Sequence, residues 1–200
     1  MSNNVDISGL AQELLSAYTT GATIAVSPSA RHADFDLNAA YAVEAEFARL
    51  RKETGRQIVG LKLGYANKAV WQKMGLNTLV WAHMYDDTVH QAGARIADLA
   101  LPYYRSPRIE PEIVFELKEP LASGGLDAAT VLRSVDWLAI GFEVIDCPYR
   151  EWQFKPADFV AAFGLHMALV VGQRLQVEPE MGPPQCPQLL LLRSRFGGHT

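Results

Sequence analysis

Three glutamates in two separate stretches have the residue type and spacing of a site for a divalent cation. RIEPEIVFEL, which spans Arg108–Leu117, carries Glu110 and Glu112 two residues apart. Because successive side chains of a β-strand point to opposite faces, both carboxylates would lie on the same face. VDWLAIGFEVID places Glu143 inside an otherwise apolar run. Three carboxylates are hard oxygen ligands, which suit Mg²⁺ or Mn²⁺ and leave octahedral positions for substrate and water.

Both stretches also have an interpretation without a metal ion. Antiparallel sheets commonly expose one face, so the acids of the first stretch could form the solvated face of a strand whose other face carries Ile109, Ile113, Phe115 and Leu117. Glu143 would share its face with small and apolar residues, where an unpaired carboxylate is costly. Glu143 therefore needs either a metal ion or a salt bridge from an arginine or lysine.

The composition is that of a globular domain and excludes some classes of partner. The 200 residues are 49% hydrophobic and 20% charged, which is enough to bury a core in one or at most two domains. The formal net charge is -4, and no basic cluster is long enough to follow a phosphate backbone. We therefore expect no nucleic acid as the principal partner.

The two cysteines and the apolar runs bear on the compartment. Cys147 and Cys186 have neither CxxC nor Cys/His ligand spacing, which predicts free thiols in a reducing compartment and no zinc site. The amino terminus has no basic segment followed by an apolar one, and apolar runs such as HMALVV are too short to span a bilayer. These features predict a cytoplasmic protein without a membrane partner.

The hydrophobic pattern predicts a helical segment over residues 1–56, followed by strands. A sheet made of these strands would position the candidate residues. One helix is predicted to end at Gly21, and a second to run from a cap at Asp36 to Gly55. Strand-like runs then follow: QIVGLKLGY, RIEPEIVFEL, WLAIGFEVIDC and HMALVVG. Strands far apart in sequence with a few short helices predict an α+β domain rather than a regular βαβ array.

Four stretches occur in the order and spacing of a known family: GLKLGY, RIEPEIVFEL, GFEVIDCPYREWQF and DFVAAFGLHMALVVG. The chain resembles the 2-keto-4-pentenoate hydratase and 4-oxalocrotonate decarboxylase group of the fumarylacetoacetate hydrolase superfamily, from the first helix to about Gly172. The resemblance implies an α+β fold, with a mixed β-roll of the fumarylacetoacetate hydrolase type as the catalytic region over residues 57–176. It also implies a homo-oligomer.

The resemblance also implies roles for particular residues. Glu110, Glu112 and Glu143 match the metal-binding acids of the family, with Mg²⁺ or Mn²⁺ as the cofactor. Lys62 of GLKLG matches the active-site lysine, whereas a lone lysine in a strand is ordinarily solvated or salt-bridged. Asp158 matches an acid in the helix before the last matching strand and is a second catalytic candidate, although an acid in the first turn of a helix is also common for electrostatic reasons.

Two histidines are less closely tied to the family pattern. His83 stands where many relatives carry an acid, which leaves the proton-transfer partner open. His166 in FGLHMALVV is interpreted as a core histidine whose hydrogen bonds are satisfied.

The function that the resemblance implies is a hydratase that adds water to a 2-hydroxydienoate or 2-oxo-4-pentenoate-type acid in the catabolism of aromatic compounds. A metal ion would stabilise the dienolate of this small 2-oxo acid substrate, while Lys62 would donate or relay a proton. A decarboxylase of the 4-oxalocrotonate type is an alternative, because both reactions pass through the same dienolate. A non-catalytic subunit that retains the fold, in a complex with a related decarboxylase, is another.

The end of the chain departs from the family. Residues 177–200 lack the glycine-rich closing strands of the relatives, and MGPPQCPQ contains three prolines, each without the N–H that a central strand must donate. The sequence therefore predicts an atypical tail, a roll whose carboxy-terminal part is missing or replaced, and a chain prone to association with weak or absent activity.

Overall fold

The computed structural model describes residues 5–93, 99–100, 103–119, 121, 124 and 127–177. The helices are α1 (Ile7–Thr20), α2 (Pro28–Arg31), α3 (Leu37–Glu53), α4 (Trp71–Met74), α5 (Ala128–Ser134) and α6 (Pro156–Ala161). The strands are β1 (Ile58–Gly64), β2 (Val80–Tyr85), β3 (Val89–Gln91), β4 (Arg108–Leu117), β5 (Val135–Ile145), β6 (His166–Val171) and β7 (Leu175–Gln176). Short 3₁₀ turns lie at Lys68–Val70, Arg150–Trp152 and Phe163–Leu165.

The two long helices begin and end where local side-chain chemistry predicts. The Asp6 carboxylate accepts a hydrogen bond from the Gly9 N–H at 2.9 Å and starts α1, which ends at Gly21 with a φ of +74°. The Asp36 carboxylate starts α3 in the same way, at 2.9 Å from the Ala39 nitrogen. Both caps satisfy N–H groups that have no partner inside the helix. The predicted boundaries at Gly21 and Asp36 are confirmed, and α3 ends at Glu53, two residues before the predicted Gly55.

Two sheets carry the candidate residues. β1 and β2 form an antiparallel pair. The larger sheet has the order β3-β6-β5-β4 with β7 also beside β5, and its pairs are antiparallel except for the parallel β3–β6 pair. The predicted combination of helices with a mixed sheet is confirmed.

The face of β4 that carries Ile109, Ile113 and Phe115 does not pack into the core of the described structure. Ile109 is 67% exposed and Phe115 is 46% exposed, while Glu112 on the opposite face is half-buried. The expectation that the apolar residues of β4 point inward is therefore wrong, whereas Glu110 and Glu116 on the other face are exposed as expected. β4 is the last strand of its sheet in the described residues, so only one neighbour covers it.

Two hydrophobic clusters pack the helices against the strand region. Leu14 of α1 and Val43 of α3 are fully buried together with Val160 of α6. Phe47 of α3 stacks on Phe163, with ring centroids 4.2 Å apart, and packs the helices against the turn that precedes β6. The helices thereby position a turn that lies next to the candidate site.

Several predictions concern other regions. Residues 178–200, which include Cys186 and nearly all of the predicted tail, lie outside the described residues. Cys147 is a buried free thiol. None of the helices in the described residues is long and apolar enough to span a membrane.

Candidate metal-binding site

The pairing of β4 with β5 brings the three predicted acids together. Glu110 lies directly opposite Glu143, and Glu112 lies opposite Gly141, which has no side chain on that face. One carboxylate oxygen from each glutamate lies within 4.8 Å of those of the other two. The structure thus gathers Glu110 and Glu112 with Glu143, which lies more than thirty positions further along the chain.

The donor set fits a hard divalent cation. All three groups offer carboxylate oxygens, which Mg²⁺ and Mn²⁺ prefer. Two ligands on opposite sides of Mg²⁺ are about 4.2 Å apart, since each metal–oxygen bond is about 2.1 Å long. Adjacent ligands are only about 3.0 Å apart, and three ligands include at most one opposite pair, so a bound cation would need to draw the three oxygens closer together by side-chain rotation.

Lys62 of β1 reaches the buried acid of this cluster. Its Nζ donates to Glu143 Oε2 at 2.8 Å and to the Gly164 carbonyl oxygen at 2.8 Å. Lys62 is only 8% exposed and Glu143 only 2%. The expected cationic partner of Glu143 is therefore a lysine in this structure, and the same lysine stands beside the carboxylate cluster.

The backbone turn before β6 is shaped for the Lys62 side chain. Gly164 has a φ of +66°, and a Cβ at this position would lie 2.8 Å from Lys62 Cδ. Its neighbours Phe163 and Leu165 also have positive φ, at 43° and 59°. Residues other than glycine in this conformation store strain, which the surrounding core must hold in place. The strained turn aims the Gly164 carbonyl at the lysine.

His166 is the second partner of Glu143. Its Nδ1 lies 2.7 Å from Glu143 Oε1, and its Nε2 lies 2.9 Å from Thr88 Oγ1. His166 is 2% exposed, so its interpretation as a satisfied core histidine is correct. The sequence did not predict that His166 contacts a candidate metal ligand, or that Thr88 contacts His166. A signal for His166 was its place at the start of a strand that could pair with the strand of Glu143.

The pKa values of Glu143 and Glu110 are shifted in opposite directions. Burial by itself raises the pKa of Glu143, but the Lys62 ammonium and the hydrogen bond from His166 hold that pKa below its ordinary value. Burial of its carboxyl group raises the pKa of Glu110. The negative charge of Glu143 also raises this pKa, while the positive charges of Lys62 and Arg108 lower it. A bound cation would relieve this repulsion.

Asp158 lies outside the carboxylate cluster. It is fully buried, and its Oδ1 accepts from the Ser29 N–H at 2.7 Å. Its Oδ2 accepts from the Ser29 hydroxyl at 2.6 Å and from the Lys155 N–H at 2.8 Å. These contacts cap α6 and tie it to α2. The catalytic role of Asp158 stays a prediction.

Replacing Asp158 with Asn tests whether Asp158 acts as a helix cap or as a catalytic acid. The amide NH₂ of Asn would face one of the three donors, so we expect a loss of about 1–3 kcal/mol in the free energy of unfolding. Metal affinity should stay unchanged. Urea unfolding and calorimetric metal titration measure the two quantities. Lost turnover at unchanged stability would instead support a catalytic role.

His83 forms a second histidine–glutamate pair away from the cluster. Its Nδ1 lies 2.7 Å from Oε1 of Glu44, and its backbone N–H donates to the same oxygen at 3.0 Å. Glu44 belongs to α3 and is 1% exposed. The pair joins β2 to α3, on the face of β2 away from Ala82 and Lys62.

Comparisons with known proteins identify relatives of the chain. No family model matches it. It is 28% identical over 174 residues to a 2-hydroxyhexa-2,4-dienoate hydratase of Comamonas testosteroni, covering 87% of this chain and 65% of that protein. It is 36% identical to a 4-oxalocrotonate decarboxylase of a Pseudomonas species, covering 64% of this chain and 50% of the relative. It is 30% identical to a 2-hydroxypent-2,4-dienoate hydratase of Pseudomonas putida, covering 78% and 68%.

A solved structure has the same fold. The 4-oxalocrotonate decarboxylase from Pseudomonas putida G7, complexed with magnesium and adipate, superposes with a TM-score of 0.76 at 24% identity. The match covers 85% of this chain and 64% of the decarboxylase. The chain therefore spans about half to two thirds of the length of the relatives that it matches.

Proposed function

The chain belongs to the 2-keto-4-pentenoate hydratase and 4-oxalocrotonate decarboxylase family, and from this premise we propose that it is a divalent-metal-dependent lyase. The reaction that we assign to it is the addition of water to a small 2-hydroxydienoate or 2-oxo-4-pentenoate-type acid. The observation that carries this proposal is the cluster of Glu110, Glu112 and Glu143 beside the buried Lys62.

The three glutamates would hold Mg²⁺ or Mn²⁺. Burial and the charge of Glu143 raise the pKa of Glu110, and the oxygens of all three glutamates suit these ions. When bound, the cation supplies positive charge that stabilises negative charge developing on the oxygens of a 2-oxo acid.

Lys62 would move a proton at the substrate. An ammonium group has three N–H donors, and two of them are directed at Glu143 and at the Gly164 carbonyl. We assign the third to the substrate or to the water that is added. Because two fixed acceptors hold Nζ in a site nearly closed to solvent, the proton would be delivered from one defined position.

The finer features of the fold and assembly belong to the same proposal. The likeness to the solved decarboxylase supports assigning the described sheet to a mixed roll of the fumarylacetoacetate hydrolase type. A homo-oligomer, a complex with a related decarboxylase and a cytoplasmic location stay predictions.

Decarboxylation is the second candidate, and the 36% identity to a 4-oxalocrotonate decarboxylase favours it. Both reactions need a stabilised dienolate and differ in whether water is added or CO₂ is released. The cluster of three glutamates beside Lys62 suits either reaction.

Metal titration and two activity assays test the proposal. Calorimetry should detect Mg²⁺ or Mn²⁺ binding, and metal at a hundred times its Kd should add about 2.7 kcal/mol to the free energy of unfolding. The hydratase assay follows the loss of a 2-hydroxydienoate, and the decarboxylase assay follows CO₂ release from a 2-oxodicarboxylate. CO₂ release without hydration would favour the decarboxylase. Metal binding without turnover would favour a non-catalytic subunit. Absence of metal binding would overturn the proposal.

A further inference from the structure

We infer that His166 and Thr88 form a positioning pair that orients the Glu143 carboxylate for metal binding, an inference that rests on the proposed metal site. His166 contacts Glu143 directly and Thr88 contacts His166, and His166 does not belong to the cluster of three glutamates. The pair would act on the metal site through Glu143.

The contacts of Glu143 are divided between its two oxygens. Lys62 donates to Oε2 at 2.8 Å, and His166 Nδ1 lies 2.7 Å from Oε1. A carboxylate offers about four lone-pair sites, so one partner on each oxygen leaves a lone pair on each for a cation. The plane of the carboxylate is held at two points, and rotation about its last bond would break one of these hydrogen bonds.

The imidazole ring of His166 is itself held at its far side. The Glu143 carboxylate can only accept, so Nδ1 must carry the proton in this contact. Nε2 then faces the Thr88 hydroxyl at 2.9 Å, a group that can donate or accept. A ring bonded through both nitrogens cannot flip without losing both contacts.

Thr88 is anchored in turn by the backbone at the end of β2. Its Oγ1 accepts from the Tyr85 N–H at 3.2 Å and lies 2.9 Å from the Tyr85 carbonyl oxygen. Thr88 is 3% exposed and His166 is 2% exposed, so water does not compete for these contacts. These contacts connect the turn after β2 to the most buried of the three glutamates.

Hydrogen-bond partners of metal ligands commonly change metal affinity by about 10- to 100-fold when they are removed. Thr88→Val deletes the hydroxyl at nearly constant volume, and His166→Leu deletes both ring contacts. We expect each variant to bind Mn²⁺ about 10- to 100-fold more weakly in calorimetric titration. Thr88→Ser keeps the hydroxyl, and His166→Asn keeps a donor near the position of Nδ1, so both should recover most of the affinity.

His83→Leu is the matched control. It removes a histidine–glutamate contact of the same 2.7 Å length outside the carboxylate cluster, and should leave the Kd for Mn²⁺ unchanged. Thermal unfolding of every variant separates lost folding from lost affinity. If His166→Leu does not fold, the comparison of Thr88→Val with Thr88→Ser decides the question.

The outcomes distinguish this inference from the proposed function. Wild-type affinity in Thr88→Val and in His166→Leu would overturn the positioning pair while leaving the metal site intact. Equal losses in Thr88→Val and Thr88→Ser would also overturn it, because the hydroxyl would then not be the active feature. A wild-type chain that binds no Mn²⁺ would overturn the metal site and the positioning pair together.

Discussion

Lys62→Met is expected to lower turnover by about 10²- to 10⁴-fold, the usual contribution of a positioned proton donor or acceptor. Methionine is close in length to lysine but carries no proton and no charge. The substitution removes the only side-chain group that contacts both Glu143 and the Gly164 carbonyl within the described residues. Single-turnover kinetics at saturating Mg²⁺ measure the effect on the chemical step.

The same substitution should also destabilise the metal-free protein. Lys62 and Glu143 are a buried ion pair, with side chains 7% and 3% exposed. Removing one partner of a buried pair leaves an uncompensated charge and typically costs about 3–5 kcal/mol. Mg²⁺ should restore part of this loss, because the cation replaces the missing ammonium.

Lys73→Met is the control for the Lys62 variant. Lys73 is an exposed lysine of α4, so its replacement should change neither turnover nor the free energy of unfolding beyond about 0.5 kcal/mol. A Lys62→Met variant as fast as the wild type would show that Lys62 has no catalytic role, whatever the change in stability.

Glu143→Gln is expected to cause the largest loss of metal binding. It replaces a charged ligand by a neutral one of the same shape, and the affinity should fall by more than the ~100-fold that partners outside the ligand shell contribute. Glutamine also cannot accept from both neighbours through two oxygens, since its NH₂ group would face either Lys62 or His166. Calorimetric titration with Mg²⁺ and Mn²⁺ measures the affinity directly.

Glu44→Gln provides a matched control for this loss. Glu44 is another nearly fully buried glutamate bonded to a histidine, but it lies outside the carboxylate cluster. Its replacement should lower stability and leave the metal Kd unchanged. Equal losses of affinity in the Glu44 and Glu143 variants would indicate a general effect of buried-charge removal and would contradict the assignment of Glu143 as a ligand.

Local patterns in the sequence accounted for the two long helices and for the shared face of Glu110 and Glu112. Asp36 could be recognised as a cap because its side chain needs to reach only three residues along the chain. Glu110 and Glu112 could be placed on one face because strand periodicity is a property of consecutive residues. β2 and β3 were missed, since VWAHMY follows a short helix without strict alternation and VHQ is only three residues long.

The sequence by itself therefore determined the family, the α+β class, the ends of the long helices and the set of acids that could bind a cation. Only the tertiary structure decided that Glu110 pairs with Glu143 across two strands, that Lys62 reaches them from the other sheet, and that His166 stands behind Glu143. The physical reason is distance along the chain. Periodicity and capping act over a few residues, whereas these contacts join residues 33, 81 and 23 positions apart. They depend on strand register and on the packing of the turn at Gly164, which no local pattern encodes.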